Sequence, residues 1–119
     1  MELQLFGINY KTSNVAEREQ FIINESNQII LDNHLKSLFK NDLESFYGIS
    51  TCNRTEIYMV GRPGISKEVF KEVANTLKLD EISEESFYFL ENHDALVHMV
   101  KVASGIDSQV LGEQEIFGQ

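Results

Sequence analysis

Cysteine occurs once in this chain of 119 residues, at position 52, which excludes an internal disulfide. Basic residues are scarce as well: ten Lys and Arg stand against 19 Asp and Glu, a formal charge of −9. A domain built chiefly to grip a phosphate backbone draws its affinity from several Lys and Arg neutralising phosphates, so this balance argues against one. The acid excess by itself serves solubility. No run of ~18 apolar residues is present, and Met1 leads at once into a strand-like alternation rather than a signal sequence. These absences describe a soluble protein of a reducing compartment, expected to be cytoplasmic and without a membrane partner.

Phosphate cradles are missing too. Neither Gly-x-Gly-x-x-Gly nor Gly-x-x-x-x-Gly-Lys-Ser/Thr occurs, so a nucleotide cofactor would have to bind outside this chain. One Cys, with His93 and His98 at i, i+5, does not supply the i, i+4 face sharing of a helical metal pair, and no metal is expected. Internal repeats and low-complexity segments are also lacking.

What the chain has is length enough for one domain that buries roughly two-thirds of its unfolded surface. MELQLFGINY alternates and then turns continuously apolar from Phe6 to Ile8, which predicts a first strand, with Gly7 permitting close approach. Thr12, Ser13 and Asn14 supply turn and cap residues, and Glu17 is placed as the capping-box partner of Asn14, opening a helical stretch AEREQFII. After a break near Asn24 to Asn27, helical spacing resumes through Ile30, Leu31, Leu35, Leu38 and Phe39 and ends near Asn41.

Phe46–Thr51 and Glu56–Gly61 read as two strands joined by a tight connection, a hairpin with Cys52 at its bend. Arg62-Pro63-Gly64 punctuates. Ser66 is then expected to cap a helix with Ile65 and Phe70 as its staple and Val69, Val73 and Leu77 as its buried stripe. Ser86–Glu91 is a fourth strand, followed by a helix from Asn92 or Asp94 through Ala103 that stops at Gly105. The order β, α, β, β, α, β, α predicts an α+β fold: a ferredoxin-like split βαβ sandwich, with a four-stranded antiparallel sheet, helices on one face and extra C-terminal helices. The tail LGEQEIFGQ carries apolar Ile116 and Phe117 and no stop signal, so the chain is expected to be a piece of something longer.

In ISTCNRTEIYMV the thiol of Cys52 stands two residues before Arg54. A thiolate is the reactive form of cysteine, and a nearby guanidinium or exposed backbone N–H groups favour it. Residues i and i+2 of an extended segment share a face, so both side chains could reach one ligand. A small buried core residue is the competing reading of the same Cys. His34 reads as a solvated surface residue and His93 as a helix-start residue with a capping role. His98 lies off a stripe formed by Leu96, Met99, Val100 and Ala103, which makes it a surface histidine or one facing a cleft.

Three segments in order, LFGINYKTSNVAERE, STCNRTEIY and HMVKVASGIDSQVLGEQEIFGQ, together resemble the N-terminal catalytic domain of glutamyl-tRNA reductase along nearly the whole chain. The resemblance implies NADPH-dependent reduction of glutamyl-tRNA to glutamate 1-semialdehyde through a thioester on Cys52, the first step of tetrapyrrole synthesis by the five-carbon route. It also implies that Arg54 takes the γ-carboxylate of the glutamyl group bidentately. Thr51 and Asn53 would line the same pocket. Ser108, Glu113, Gln114 and Glu115 would contact the glutamyl group, and Gln119 would close the set. His98 would stand near the reaction centre, as a proton donor or as an orienting group.

Departures from the family pattern are Tyr10 in place of a common His, Ser13-Asn14 in place of Ala-Pro, and Glu115 where many members carry Gln. The resemblance further implies an NADPH-binding domain and a dimerisation domain outside these residues, a homodimer through the latter, and glutamate 1-semialdehyde aminomutase as the downstream partner. Positions 1–119 alone would then do at most thioester formation and hydrolysis. Against this stand a non-catalytic ferredoxin-like ligand-sensing, RNA-binding or interaction module with a structural Cys52, and a thiol-dependent hydrolase of another substrate.

Overall fold

A computed structural model describes residues 1–105 of the chain. These form four strands, β1 (Glu2–Asn9), β2 (Leu43–Ser50), β3 (Arg54–Gly61) and β4 (Tyr88–Glu91), and four α-helices, α1 (Val15–Gln20), α2 (Glu25–Phe39), α3 (Ile65–Leu77) and α4 (Asn92–Ser104). The sheet order is β2-β3-β1-β4 with every neighbour antiparallel. This is the expected ferredoxin-like split βαβ arrangement.

One face of the sheet carries the main core. Phe6 and Ile8 of β1 and Ile57 and Met59 of β3 meet Leu31 and Leu35 of α2, Val69 and Val73 of α3, and the rings of Phe21 and Phe87. The extra helix, α4, takes the opposite face, where Leu5, Ile49, Ala95 and Val102 are buried apart from that core. Strand β1 is therefore covered on both sides. Its continuous apolar run follows from that position, because a strand buried on two faces has no polar side to alternate with.

Local chemistry sets the helix ends. Asn14 and Glu17 form the predicted reciprocal capping box, but α1 stops at Gln20 instead of running on through Ile23. The hairpin claims the groups that would extend it: Thr55 Oγ1 donates to the Phe21 carbonyl at 2.6 Å, and the Ile23 N–H donates to Ser50 Oγ at 2.8 Å. A second capping box, between Asn24 and Asn27, then opens α2.

Helix α3 begins at Ile65, so Ser66 is not its cap. The cap position is Gly64, at φ +82°, which has no side chain to offer. Gln4 of β1 fills the role from across the sheet: its Oε1 accepts from the Ser66 N–H at 2.9 Å and its Nε2 donates to the Arg62 carbonyl at 2.9 Å. Ile65, expected outside the helix as a staple, is its first residue and fully buried. The strands of the hairpin are longer than expected, starting at Leu43 and Arg54, with a bulge between Leu43 and Ser45, and the connection is Thr51 to Asn53.

The stripe expected on α4 is wrong. Leu96 and Val100 are about half exposed, while Ala95 and Val102 are buried and His98 and Met99 lie between those limits. The sheet-facing row is thus Ala95, His98, Met99, Val102, at helical spacing i, i+3, i+4, i+7. Facing it are Gly7, Glu56 and Tyr88, a polar patch that admits a small residue and an imidazole in preference to the larger aliphatic ones. His93 is exposed and makes no capping contact, and His34 bridges α2 to α3 through Glu72 at 2.9 Å.

Candidate active site

Register alone assembles the polar patch. Gly7 pairs with Glu56 of β3 on one side and with Tyr88 of β4 on the other, so the three stand in one row across the sheet on the α4 face. A Cβ at Gly7 would lie 2.5 Å from the Thr55 carbonyl oxygen and 2.8 Å from Glu56 Cγ. The glycine thus leaves the space that the Glu56 side chain occupies.

Glu56 has no solvent exposure and gathers four donors. Its Oε1 accepts from the Tyr58 hydroxyl at 2.7 Å; its Oε2 accepts from Tyr88 Oη, from His98 Nε2 and from Arg54 Nη1, the last at 3.3 Å. Burial pushes the carboxyl up, but the hydrogen bond and charge interaction with His98, then the Tyr88 and Tyr58 hydroxyls, outweigh it. The group sits below the ordinary carboxylate range and is ionised. Burial, then the Glu56 charge, push the Tyr88 hydroxyl far above its usual range, so it remains a donor. An ionised carboxylate only accepts, which makes His98 Nε2 the donor and leaves Nδ1 as the ring nitrogen that can take or give a proton. The Tyr88 ring packs beside the imidazole, centroids 5.4 Å apart.

Cys52 occupies the bend between β2 and β3 and is exposed, so the buried structural reading of this thiol does not hold. Its backbone is held on all sides. The Thr51 N–H donates to the Arg54 carbonyl at 2.7 Å, and Thr51 Oγ1 accepts from the N–H groups of Asn53 and Arg54 at 3.1 and 3.2 Å. The Asn53 carbonyl accepts from the Tyr10 N–H at 2.8 Å, and the Cys52 carbonyl from Arg18 Nε at 3.3 Å. Asn53 Nδ2 is buried and has no acceptor among the described residues. An unmet buried donor of this kind costs about 1–3 kcal/mol until an acceptor arrives.

Because residues 51–53 bend, the rule that i and i+2 share a face does not apply. Cys52 faces solvent, whereas Arg54 is fully buried and turned toward Glu56. Thr51, Cys52, Asn53, Arg54 and His98 are therefore all placed, with Arg54 and His98 converging on one carboxylate and Cys52 standing apart at the surface. Ser108, Glu113, Gln114, Glu115 and Gln119 lie outside the described residues. Among the described residues no three His, Cys, Asp or Glu could hold a metal ion, and no helix is long and apolar enough to cross a membrane. Two residues escaped the sequence reading. Glu56 shares strand parity with Arg54, which was the available signal; Arg18 sits one helical turn after Asn14, where only its backbone contacts reveal it.

By its fold the molecule is a ferredoxin-like α+β domain, and its distinguishing feature is a solvent-facing cysteine on a clamped hairpin bend, on the same hairpin as a buried Arg54–Glu56 pair that the partly buried His98 joins. The family model described as glutamyl-tRNAGlu reductase, N-terminal domain, matches residues 6–119, and the chain belongs to that family. Among curated relatives, glutamyl-tRNA reductase of Wigglesworthia glossinidia brevipalpis is 37% identical over 125 aligned positions, covering 100% of this chain and 29% of that protein. The glutamyl-tRNA reductase of Nitrosococcus oceani is 37% identical over 121 positions, covering 100% of this chain and 28% of that protein. The chain thus spans under a third of the length of these relatives. The solved structure of glutamyl-tRNA reductase from Methanopyrus kandleri superposes with a TM-score of 0.69 at 26% identity, covering 98% of this chain and 26% of that one.

Proposed function

We propose that this chain carries out the acyl-transfer half of a glutamyl-tRNA reductase reaction, with Cys52 as nucleophile. The observation that carries the reading is the exposed thiol on a bend whose backbone is pinned at every residue, next to a strand on which Arg54 and His98 converge on Glu56. The Cys52 sulfur attacks the carbonyl carbon of the glutamyl ester. A C–S bond forms, the C–O bond to the ribose breaks, and the thiol proton ends on the leaving hydroxyl. The thioester is more electrophilic than the ester it replaces, so the overall reduction is split into two lower barriers.

Each neighbour has a role in this account. Glu56 fixes the His98 tautomer and leaves Nδ1 to move the proton between thiol and leaving group in a bound state where the Cys52 bend has shifted toward it, since the thiol otherwise stands apart from the cluster. Asn53 Nδ2 gains its acceptor when the carbonyl oxygen becomes an oxyanion. Arg54 recognises the side-chain carboxylate of the glutamyl group in a bound state where the Cys52 bend has shifted to uncover it, since the guanidinium is otherwise fully covered. Thr51 holds the bend, and Ser108, Glu113, Gln114, Glu115 and Gln119 contact the acyl group.

NADPH belongs to the full reaction as the reductant of the thioester to glutamate 1-semialdehyde. The described residues do not fit it: the sheet is wholly antiparallel and has no glycine-rich strand-to-helix phosphate turn within a parallel βαβ unit. A homodimer, glutamate 1-semialdehyde aminomutase as recipient of the product, and a cytoplasmic setting complete the proposal.

The test is release of tRNA from glutamyl-tRNA by the chain, beside Cys52→Ser and His98→Ala. Cys52→Ser should fall to the uncatalysed rate and His98→Ala by roughly a hundredfold or more. A Cys52→Ser protein as fast as the parent would overturn the proposal.

A further inference from the structure

Strand β4 and the starts of α3 and α4 wall a hollow of about 430 Å³, lined by Gly64, Ser66 and Lys67 at the head of α3, by Phe89 and Glu91 of β4, and by Asp94 of α4. We propose that this hollow is a second binding site, for a small zwitterion of the free α-amino acid class. It is remote from the cysteine. Glu91 pairs with Gln4 near one end of β1 and Arg54 with Asn9 at the other, five positions or about 17 Å along the strand.

The α3 side suits an anion. Helix α3 runs for 13 residues, and its N-terminal end carries partial positive charge. Lys67 adds a full charge in the first turn, where a cation is disfavoured. Its Nζ is held 3.7 Å from the centroid of the Phe89 ring, and the first-turn acid Glu68 is already paired with Arg62 at 2.6 Å. The ammonium therefore has no carboxylate partner among the described residues. Ser66 is the decisive neighbour. It is only 6% exposed, its N–H is taken by Gln4 Oε1, and its hydroxyl has no partner among the described residues. That hydroxyl is not sealed, so it opens on the hollow that the residue lines. A nearly buried hydroxyl in this condition lacks the acceptor or donor that a ligand would bring.

The opposite wall suits a cation. Phe89 packs on the main core, and Glu91 shares its strand parity, so both point to the α3 face. Glu91 and Asp94 are exposed at the start of α4 and make no side-chain cap bond there, which leaves both carboxylates open as acceptors. Two acids facing one ammonium repel a bare dianion such as phosphate, and Lys67 repels a simple amine. A molecule with both charges meets both walls: its carboxylate takes Ser66 Oγ and Lys67 Nζ, and its ammonium goes to Glu91 and Asp94. The volume lies within the roughly 300–1,000 Å³ that house small ligands. Room thus remains for a side chain against the Phe89 ring and Leu90, which also lines the hollow.

Three probes sharing a branched alkyl group separate the two charges: L-leucine carries both, isoamylamine the ammonium alone and isocaproate the carboxylate alone. Each is titrated into the isotope-labelled chain while the backbone amide resonances are followed. L-Leucine should shift the amides of 64–67 and 89–94 and saturate with a Kd of roughly 1 mM or tighter. Isoamylamine and isocaproate should each bind at least about tenfold more weakly, the loss expected with one charge-assisted contact. Lys67→Met, and Glu91→Gln combined with Asp94→Asn, all at exposed positions, should each weaken L-leucine by about the same factor and leave Cys52 acylation unchanged. No saturable shift at the hollow, either half-probe binding as tightly as L-leucine, or variants that bind it as the parent does would each overturn the proposal.

Discussion

Glu56 on β3 and His98 on α4 share a hydrogen bond beneath the sheet surface, and the carboxylate that makes it is sealed from solvent on a strand where Arg54 and Tyr58, two residues to either side, also bond to it. That one contact joins the fold to the candidate chemistry, since it pins α4 to the sheet and sets which imidazole nitrogen faces outward. Replacing the carboxylate with an isosteric amide, Glu56→Gln, removes the buried charge that faces Arg54 Nη1 and His98 Nε2. Breaking a buried pair on one side costs about 3–5 kcal/mol. Chemical denaturation at neutral pH should show a loss of that order.

The same residue gives a pH signature. Its folded pKa lies below the ordinary 4.5, so its stabilisation is fully present above about pH 4.5 and is lost as the pH falls through the lower folded value. Thermal melts of the parent should fall in Tm over that acidic range, and Glu56→Gln should lack this component. Parallel melting curves for the two proteins below pH 4.5 would contradict it.

Gly7→Ala places a methyl group 2.5 Å from a backbone oxygen and 2.8 Å from Glu56 Cγ. The backbone atom cannot yield cheaply, so a destabilisation of about 1–3 kcal/mol or more is expected. Displacement of Glu56 should also slow Cys52 acylation. An unchanged Tm and acylation rate would show that the space over Gly7 is not needed.

Thr55→Val tests the hydroxyl that ends α1. It removes the 2.6 Å donor to the Phe21 carbonyl and should cost about 1–3 kcal/mol. At about 4–8 °C per kcal/mol for a domain of this size, the change is readily seen in Tm.

Arg54→Lys keeps a charge but loses the planar fork. Acylation by a glutamyl donor should fall by at least about tenfold, while a glutaminyl donor should be little affected, because only the former offers a carboxylate to the guanidinium. Equal losses with both donors would assign Arg54 to bracing Glu56 alone.

Much of this was legible in the residues. Alternation in β1, the Asn14–Glu17 box and the Val69–Val73 stripe gave the element order, and the lone cysteine at a strand end marked the bend. Glu56 was not legible, because a carboxylate in an alternating strand reads as the solvent side, and only α4 on the second face turns that side inward. The α4 stripe failed for the complementary reason: a wheel scored by apolarity picks Leu96 and Val100, whereas the sheet beneath offers Glu56 and Tyr88 and takes His98 and Ala95. The end of α1 depended on hydroxyls of Ser50 and Thr55, about thirty positions away, which no local pattern contains.

The most direct test of the central claim is the mass of the protein after brief exposure to glutamyl-tRNA and acid quenching, with the adduct located by proteolysis. The account predicts one glutamyl group on Cys52, absent in Cys52→Ser. An unmodified Cys52, or a glutamyl group carried on another residue, would contradict it.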